Sequence, residues 1–308
     1  MDFSLVSIAV CTCNGERFLK EQLNSLVNQD YPNLEIIIVD DKSTDNTLNI
    51  LNAFSSQYSN IKVYGNEMNL GYKKNFEKAI QLCKGDYIAL SDQDDIWELD
   101  KISKLVNHIG DAVLIYHDSL FIDNKGKSLN KKMSNILNMY HGNNYKPFLF
   151  FNCVSGHACL FKRDIVEKVI PFPELIMHDQ WLAFCATNLG EIKYLHEPLV
   201  YYRQHEDSDT NILKRNRKKV SKKKSGREKV ERAAMEFKIF SEYKYLKGKE
   251  FVNKLYQLYI DRLNSYLSPA LMIFLFTNYK HLLYIYKKSA FNRFNFVYKT
   301  IWGLKLKN

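Results

Sequence analysis

The sequence lacks the features that carry a chain across a membrane. It has no basic start followed by an apolar core, so its first residues do not predict a signal peptide. No apolar run reaches the roughly 20 residues that span a bilayer, because the best candidate, residues 269–276, is too short. We therefore expect a cytoplasmic protein whose thiols stay reduced.

Cysteine is sparse and is not arranged for a disulfide framework or a zinc site. The chain has 6 cysteines in 308 residues, far below the density of a disulfide-stapled domain. None of them forms a Cys-x-x-Cys pair, which disfavours structural zinc. We expect buried free thiols, which pack as small hydrophobic groups.

Negative charge is scarce in the last third of the chain. Residues 211–308 contain 24 Lys and Arg but 6 Asp and Glu, whereas residues 1–210 contain 20 and 28. The formal net charge of +10 therefore hides a basic C-terminal part joined to a mildly acidic one. This asymmetry predicts two roles, one of which faces a polyanion or an anionic membrane.

Strand-like and helix-like segments alternate over the first 100 residues. Amphipathic helical patterns separate four strand patterns, at residues 6–12, 34–40, 61–64 and 87–90. The alternation predicts an α/β fold with a mixed, mostly parallel sheet flanked by helices. We divide the chain into a domain over residues 1–210, a basic linker over 211–229 and a helical amphipathic region over 230–308.

The pattern is looser between residues 111 and 205. Strands are predicted at residues 112–117, 120–123 and 199–202, a loop at 128–146 and a helix at 179–188. Two helix caps are also predicted, from Ser43 or Thr44 and from Asp95 before a helix starting at Trp97.

Carboxylates follow two predicted strands, at the edge where open α/β sheets bind ligands. Asp40 and Asp41 follow the second strand, and Asp92 and Asp94 follow the fourth. Carboxylates two residues apart point to the same side and repel each other unless a cation joins them. Oxygen ligands of this kind suit Mg²⁺ or Mn²⁺, so we expect one of these ions here.

Five segments resemble glycosyltransferase family 2, whose members have the Rossmann-like GT-A fold. They read SIAVCTCNGE at 7–16, IVDDKSTD at 38–45, NLG at 69–71, GDYIALSDQDDIW at 85–97 and HDQW at 178–181. The SDQDDIW stretch is similar to bacterial rhamnosyltransferases and other transferases of cell-surface polysaccharides. The resemblance covers roughly residues 5–205 and leaves the C-terminal part outside.

The resemblance implies roles for individual residues. Asp179 is expected to be the catalytic base, and Asp92, Asp94 and His205 are expected to hold the metal. The residues expected to bind the nucleotide sugar are Thr12, Asn14, Glu16, Asp41, Ser43, Asn69, Gly71, Lys74 (or Asn75), Asp92 and Gln93. The residues expected near the acceptor, on weaker grounds, are Trp97, Ser155, Gly156 with its neighbour His157, His178 and Trp181.

Several of these residues also have a purely structural interpretation. Asp179 is typical of a helix N-cap. If it begins a helix, the helix dipole is expected to lower its pKa. The other open alternatives are a packed His178, a surface His205, core positions for Trp97 and Trp181, and a structural ion pair rather than diphosphate binding for Arg203.

The implied activity is inverting transfer of a sugar from dTDP-rhamnose or a UDP-hexose to a hydroxyl of a growing, lipid-linked bacterial surface glycan, as in capsule, cell wall or O-antigen-like polymers. A sugar nucleotidyltransferase would need a Gly-rich basic loop after the first strand, where this chain has TCNGE. A non-catalytic scaffold would not need the intact Asp92, Asp94 and Asp179.

Apolar and aromatic residues recur at helical spacing beyond residue 230, beside Lys and Arg. Helices with a basic side and an aromatic side lie in membrane interfaces, where each Lys or Arg contributes about 1 kcal/mol. Region 230–308 therefore predicts peripheral attachment to the inner face of the cell membrane. A helical homodimer or partner surface is the alternative, and nucleic acid is disfavoured because no RNA- or DNA-binding motif is present.

Overall fold

The computed structural model describes residues 3–206 and 225–303. Its strands are β1 (Val6–Thr12), β2 (Leu34–Asp40), β3 (Ile61–Gly65), β4 (Tyr87–Ser91), β5 (Ile96–Trp97), β6 (Leu114–Ile122), β7 (Ser128–Lys132), β8 (Cys159–Lys162) and β9 (Ile192–Arg203). Its helices are α1 (Leu19–Val27), α2 (Thr47–Gln57), α3 (Tyr72–Leu82), α4 (Lys101–Ile109), α5 (Met133–Ile136), α6 (Val166–Val169), α7 (His178–Leu189), α8 (Gly226–Glu242), α9 (Lys249–Asn264), α10 (Pro269–Leu282) and α11 (Ala290–Thr300).

The strands form one sheet in the order β3-β2-β1-β4-β8-β6-β9-β5, with β7 paired to β6. The pairs β1–β2, β2–β3, β1–β4 and β6–β9 are parallel. Strands β8, β5 and β7 run antiparallel to their neighbours. The predicted mixed sheet flanked by helices is confirmed, and the parallel half ends at the edge that carries Asp40 and Asp92.

Helices cover both faces of the sheet, which explains why its central strands are mostly apolar on both faces. In β1, Ile8 and Val10 belong to the core that contains α1, α2 and α4, whereas Ala9 and Cys11 face the opposite core. Alternate residues of a strand point to opposite faces, so an unbroken apolar run is needed to fill both cores.

Helices α8 to α10 and part of α11 belong to the same hydrophobic cluster as Ala9 of the central sheet. The ring of Phe240 in α8 lies 4.4 Å from that of Phe184 in α7, centre to centre. The basic run at 214–224 and most of the predicted linker lie outside the described residues, and α8 begins at Gly226. Within residues 3–206 and 225–303, no helix is long and apolar enough to cross a bilayer.

Several local predictions were wrong. The two strands expected at 112–117 and 120–123 form the single strand β6. The polar residues Asp118 and Ser119 lie inside this strand because Oδ1 of Asp118 accepts hydrogen bonds from the N–H groups of Ser119 and Ser134. The loop expected at 128–146 contains β7 and α5.

Both predicted helix caps were also wrong. Asn46 occupies the cap position of α2, while the Oγ atom of Ser43 accepts a hydrogen bond from the N–H of Asn14 instead. Asp95 precedes the short strand β5, and α4 starts only at Lys101. The side chains of Ser43 and Asp95 instead accept hydrogen bonds from the backbone of distant residues, Asn14 and Arg203.

Candidate active site

A cavity of about 510 Å³ opens at the carboxyl ends of β1, β2 and β4. This is the edge of the sheet where the sequence predicts a ligand site. Its wall contains most of the predicted residues: Thr12, Asp41, Asn69, Gly71, Asp92, Gln93, Asp94, Ser155, Gly156, His178, Asp179 and His205.

Asp41 fixes the wall beyond β2. Its Oδ1 atom accepts hydrogen bonds from Leu70 N (2.7 Å) and Asn66 Nδ2 (2.8 Å), and its Oδ2 atom accepts one from Gly71 N (2.8 Å). Asn69 donates in turn to the carbonyl of Asp41 at 3.2 Å. Gly71 has φ of +79°, where a side chain would be strained. The carboxylate of Asp41 therefore holds the 66–71 loop in its shape.

Gln93 holds the loop that follows β1. Its Oε1 atom accepts from Cys13 N at 2.8 Å, and its Nε2 atom donates to Cys13 O at 3.1 Å. Asn14, which follows Cys13 in the chain, accepts a hydrogen bond through its Oδ1 atom from Thr44 N at 2.8 Å. Side-chain bonds of this kind connect the ends of β1, β2 and β4 into one rigid floor.

Acidic side chains after β4 meet two histidines from distant parts of the chain. His205 Nε2 lies 2.8 Å from Asp94 Oδ2. His157 Nδ1 lies 3.3 Å from Asp95 Oδ2 and 3.6 Å from Asp92 Oδ2. Ligand atoms of Asp92, Asp95 and His157 all lie within 4.8 Å of one another. Carboxylate oxygens with an imidazole nitrogen are a suitable ligand set for Mn²⁺ and related ions.

A buried charged layer lies beneath this cluster. Asp95 Oδ1 accepts from Arg203 N at 2.9 Å, and Lys101 Nζ donates to His157 O at 2.6 Å while lying 3.1 Å from the centre of the Trp97 ring. Burial lowers the pKa of Lys101 well below its ordinary value. Burial, with the charges of neighbouring carboxylates, raises the pKa of Asp95 although His157 opposes the change.

Two carboxylates of the cavity, Asp92 and Asp179, have opposite pKa shifts. Burial acts to raise the pKa of Asp92, but the hydrogen bond and charge of His157 outweigh it, so the pKa is lowered. Burial raises the pKa of Asp179 against the opposing influence of His178. The lowering predicted from the helix dipole was therefore wrong, because burial dominates at this position.

Helix α7 begins at His178, so Met177, and not Asp179, occupies its cap position. Asp179 lies in the first turn, where its Oδ1 atom accepts from Gln180 N at 2.7 Å. The ring of His178 stacks on Phe76 with 4.8 Å between centres, which makes it a packed histidine that also borders the cavity.

Six predicted residues do not line the cavity: Asn14, Glu16, Ser43, Lys74, Trp97 and Trp181. Lys74 pairs with Glu77 at 2.8 Å. Glu16 Oε2 accepts from Asn46 N at 2.8 Å. Trp97 and Trp181 are buried core residues, as their structural interpretation expected. Arg203 is also structural, because it pairs with Glu21 at 2.6 Å.

Sequence reasoning missed several wall residues, namely Tyr72, Phe76, Met133, Leu137, Asn152, Met177 and Tyr202. It also gave His157 no link to the acids. His157 lies two residues before β8, whose antiparallel pairing with β4 brings the two regions together. No local pattern signals such a pairing.

A sequence model of glycosyl transferase family 2 matches residues 7–170. The uncharacterized glycosyltransferase alr2836 of Nostoc sp. is 28% identical over 215 residues, which are 65% of this chain and 65% of that protein. The dTDP-rhamnosyl transferase RfbG of Shigella flexneri is 30% identical over 215 residues, which are 65% of this chain and 72% of that protein. The matched part thus leaves about a third of each relative uncovered.

Solved structures share the fold. Residues 1–349 of S. aureus TarS, crystallised with UDP-GlcNAc, align with a TM-score of 0.60 and 17% identity over 96% of this chain and 81% of that one. The mannosyltransferase PcManGT of Pyrobaculum calidifontis, solved with GDP-Man and Mn²⁺, aligns with a TM-score of 0.53 and 16% identity over 97% and 80%.

Proposed function

The chain belongs to glycosyl transferase family 2, and from that premise we propose that it transfers a sugar, with inversion, from a nucleoside diphosphate sugar to a hydroxyl of a growing bacterial surface glycan. The observation that carries the proposal is one cavity whose wall contains Asp92, Asp94, His205 and Asp179. It combines candidate metal ligands with a carboxylate that is suited to act as a base.

We propose that the nucleotide lies beside Thr12, Asn69 and Gly71. The Oγ1 atom of Thr12 is buried and has no hydrogen-bond partner among the residues that the structure describes. A buried hydroxyl without a partner costs free energy, which a bound ligand would recover. The relative RfbG, a dTDP-rhamnosyl transferase, supports dTDP-rhamnose as the donor, and the complex of TarS with UDP-GlcNAc supports a UDP-hexose.

We propose that Asp92, Asp94 and His205 hold Mn²⁺ or Mg²⁺. All three line the cavity, whereas Asp95 does not and already accepts a hydrogen bond from Arg203 N. The oxygen and imidazole donor set fits such an ion, and PcManGT was solved with Mn²⁺. When bound, the cation would stabilise negative charge on the diphosphate leaving group.

In the proposed reaction, the carboxylate of Asp179 takes the proton of the acceptor hydroxyl. The acceptor oxygen forms its bond to the anomeric carbon on the face opposite the diphosphate. The bond from that carbon to the diphosphate oxygen breaks, and the oxygen keeps the electron pair. A base works best when its pKa approaches the working pH, so the raised pKa of Asp179 suits this role.

We propose that helix α11 attaches the protein to the cytoplasmic face of the membrane that carries the acceptor. Within α11, Phe291, Phe294 and Tyr298 are 72, 50 and 45% exposed, and their spacing of three and four residues places them on one side of the helix. Trp302, two residues beyond the end of α11, is 52% exposed. Basic residues lie within or next to the same segment: Lys288, Arg293 and Lys299. A homodimer through this surface is the competing outcome.

A thermal-shift screen of the full chain with Mn²⁺ and a panel of dTDP- and UDP-sugars tests the donor proposal. A ligand that binds only the folded protein raises its apparent stability. We expect one nucleotide class to raise the melting temperature, and slow Mn²⁺-dependent release of that nucleotide without acceptor. If no nucleotide sugar binds, the proposed function is wrong.

A further inference from the structure

A second cavity of about 890 Å³ lies next to the candidate active site. Leu137 belongs to the walls of both cavities, so the two spaces adjoin at this side chain. The wall of the second cavity, which we call the side groove, combines β6, β7, α5, β9 and the segment between α10 and α11. An acceptor that extends from Asp179 past Leu137 would reach the side groove.

Hydrogen bonds hold the C-terminal segment in the wall of the side groove. Asn138 N donates to Ile285 O at 3.0 Å, and Asn138 Nδ2 donates to Tyr284 O at 2.9 Å. Lys287 Nζ donates to Ser134 O at 2.6 Å. The groove is therefore built from both the family domain and the C-terminal region, which the family match does not cover.

The side chains of the side groove suit a ligand that is both polar and anionic. Amide and phenol groups line it, from Asn130, Asn135, Asn138, Tyr194 and Tyr284. Two lysines, Lys132 and Lys287, also line it, and neither forms an ion pair with a carboxylate in the described parts of the chain. Amides and phenols bind sugar hydroxyls, whereas ammonium groups that are not paired with a carboxylate bind phosphate.

One acid, Asp118, also lines the side groove, and its oxygens already have partners. Oδ1 accepts from Ser119 N at 2.9 Å and Ser134 N at 3.0 Å, while Oδ2 accepts from Ser134 Oγ at 2.5 Å. Asp118 is 3% exposed. The carboxylate of Asp118 is therefore engaged by local hydrogen-bond donors, and the two lysines are the charged groups available to a ligand.

We propose that the side groove binds a phosphate group of the acceptor while the acceptor hydroxyl lies in the active site. This proposal rests on the proposed glycosyltransferase function. A lipid-linked sugar diphosphate and a polyol phosphate polymer both carry such a group. The position of Lys287, three residues before the start of α11 with its exposed aromatic residues, places the phosphate close to the proposed membrane surface.

The test measures binding of two probes to the full chain by calorimetry, farnesyl diphosphate for the lipid-linked source and ribitol 5-phosphate for the polyol source. The variant K132Q/K287Q removes both groove charges. The control K131Q/K280Q removes two exposed lysines that do not line the groove. We expect at least one probe to bind wild type and control equally, and the groove variant at least tenfold more weakly.

Binding of farnesyl diphosphate alone would support the lipid-linked source, and binding of ribitol 5-phosphate alone the polyol source. Binding of neither probe, equal losses in both double variants, or displacement of the probe by UDP or dTDP would overturn the proposal. Nucleotide binding in the same variants separates the two proposals, because the side groove can fail while nucleotide sugars still bind. If the wild-type protein binds no nucleotide, the result would instead count against the proposed function.

Discussion

The imidazole of His205 and the carboxylate of Asp94 lie 2.8 Å apart although 111 positions separate them in the chain. Asp94 follows β4, and His205 follows β9, which reaches the same edge of the sheet through β5 and β6. The residues after β9 therefore lie beside the residues after β4, and His205 reaches the cavity only because the two strands belong to the same sheet.

We predict that His205→Ala weakens Mn²⁺ binding by about 10- to 100-fold, the usual cost of disturbing a metal site. The reason is that the ion loses one of its proposed ligands, the imidazole beside Asp94. Electron paramagnetic resonance of Mn²⁺ titrated into the protein measures the change without an activity assay. His108→Ala, on the surface of α4, is the matched control and should bind Mn²⁺ as wild type does. Equal affinity in both variants would exclude His205 from the metal site.

We predict that His157→Ala lowers the free energy of unfolding by about 1–3 kcal/mol, because it leaves the buried Oδ2 atom of Asp95 without the polar group that faces it. Denaturant unfolding measures this loss. In the double variant with Asp95→Asn, the losses should not add, because the two side chains contact each other. The surface pair His141 and Glu191, at 3.0 Å, provides the control. His141→Ala should cost about 1 kcal/mol or less. Additive losses at Asp95 and His157 would show that the two are not coupled.

We predict that the buried carboxylate of Glu35 makes the free energy of unfolding depend on pH in the acidic range. Burial acts to raise the pKa of Glu35, but hydrogen bonds from Ser7 Oγ and Lys84 N, both 2.6 Å, and from Lys62 outweigh it, so the pKa is lowered. A lowered pKa means that the stabilisation is complete above the unfolded-state pKa, about 4.3, and is lost as the pH falls through the folded value.

Wild type should therefore exceed Glu35→Gln in free energy of unfolding by about 1.5–3 kcal/mol at pH 7, the usual contribution of hydrogen bonds to a charged group. The difference should shrink as the pH falls from 5 toward 3. Glu67→Gln, at an exposed position, is the control and should show little difference at any pH. A difference for Glu35→Gln that stays constant with pH would contradict the assignment.

We predict that F291S/F294S reduces binding to vesicles containing anionic lipid by roughly tenfold or more. The reason is that burying one Phe side chain in the membrane interface contributes up to about 1.5–3 kcal/mol of binding free energy, which the Ser variant loses. Vesicle co-sedimentation measures the partition coefficient. M68S/L99S changes two exposed apolar residues away from α11 and should bind as wild type does. If vesicle binding is unchanged but a dimer dissociates, the surface of α11 is a protein interface instead.

The parts of the fold that were predictable are those in which local sequence and tertiary environment agree. Strands β1 and β2 begin and end at the predicted residues, because each is an apolar run bounded by polar residues and both of its faces are buried. Asp92 and Asp94 were placed at the strand end by the same reasoning. The pairing of His205 with Asp94 rested on family resemblance, since nothing near His205 in the sequence points to β4.

The parts that were not predictable depend on contacts between distant segments. The buried layer of Asp95, Lys101 and His157 has no periodic pattern and forms only when β4 and β8 pair. The pKa of Asp179 follows its burial, which cannot be inferred from its place in a helix. The side groove needs both α5 and the segment after α10, so its two lysines look like ordinary surface charges in the sequence.

Asp179→Asn tests whether Asp179 is the base of the sugar transfer. The variant keeps the size of the side chain but cannot take a proton. We predict normal folding, wild-type affinity for the donor that the thermal-shift screen identifies, and transfer slowed by about 10²- to 10⁴-fold. Asp164→Asn, an exposed acid, should transfer at the wild-type rate. Wild-type turnover by Asp179→Asn would exclude Asp179 as the base.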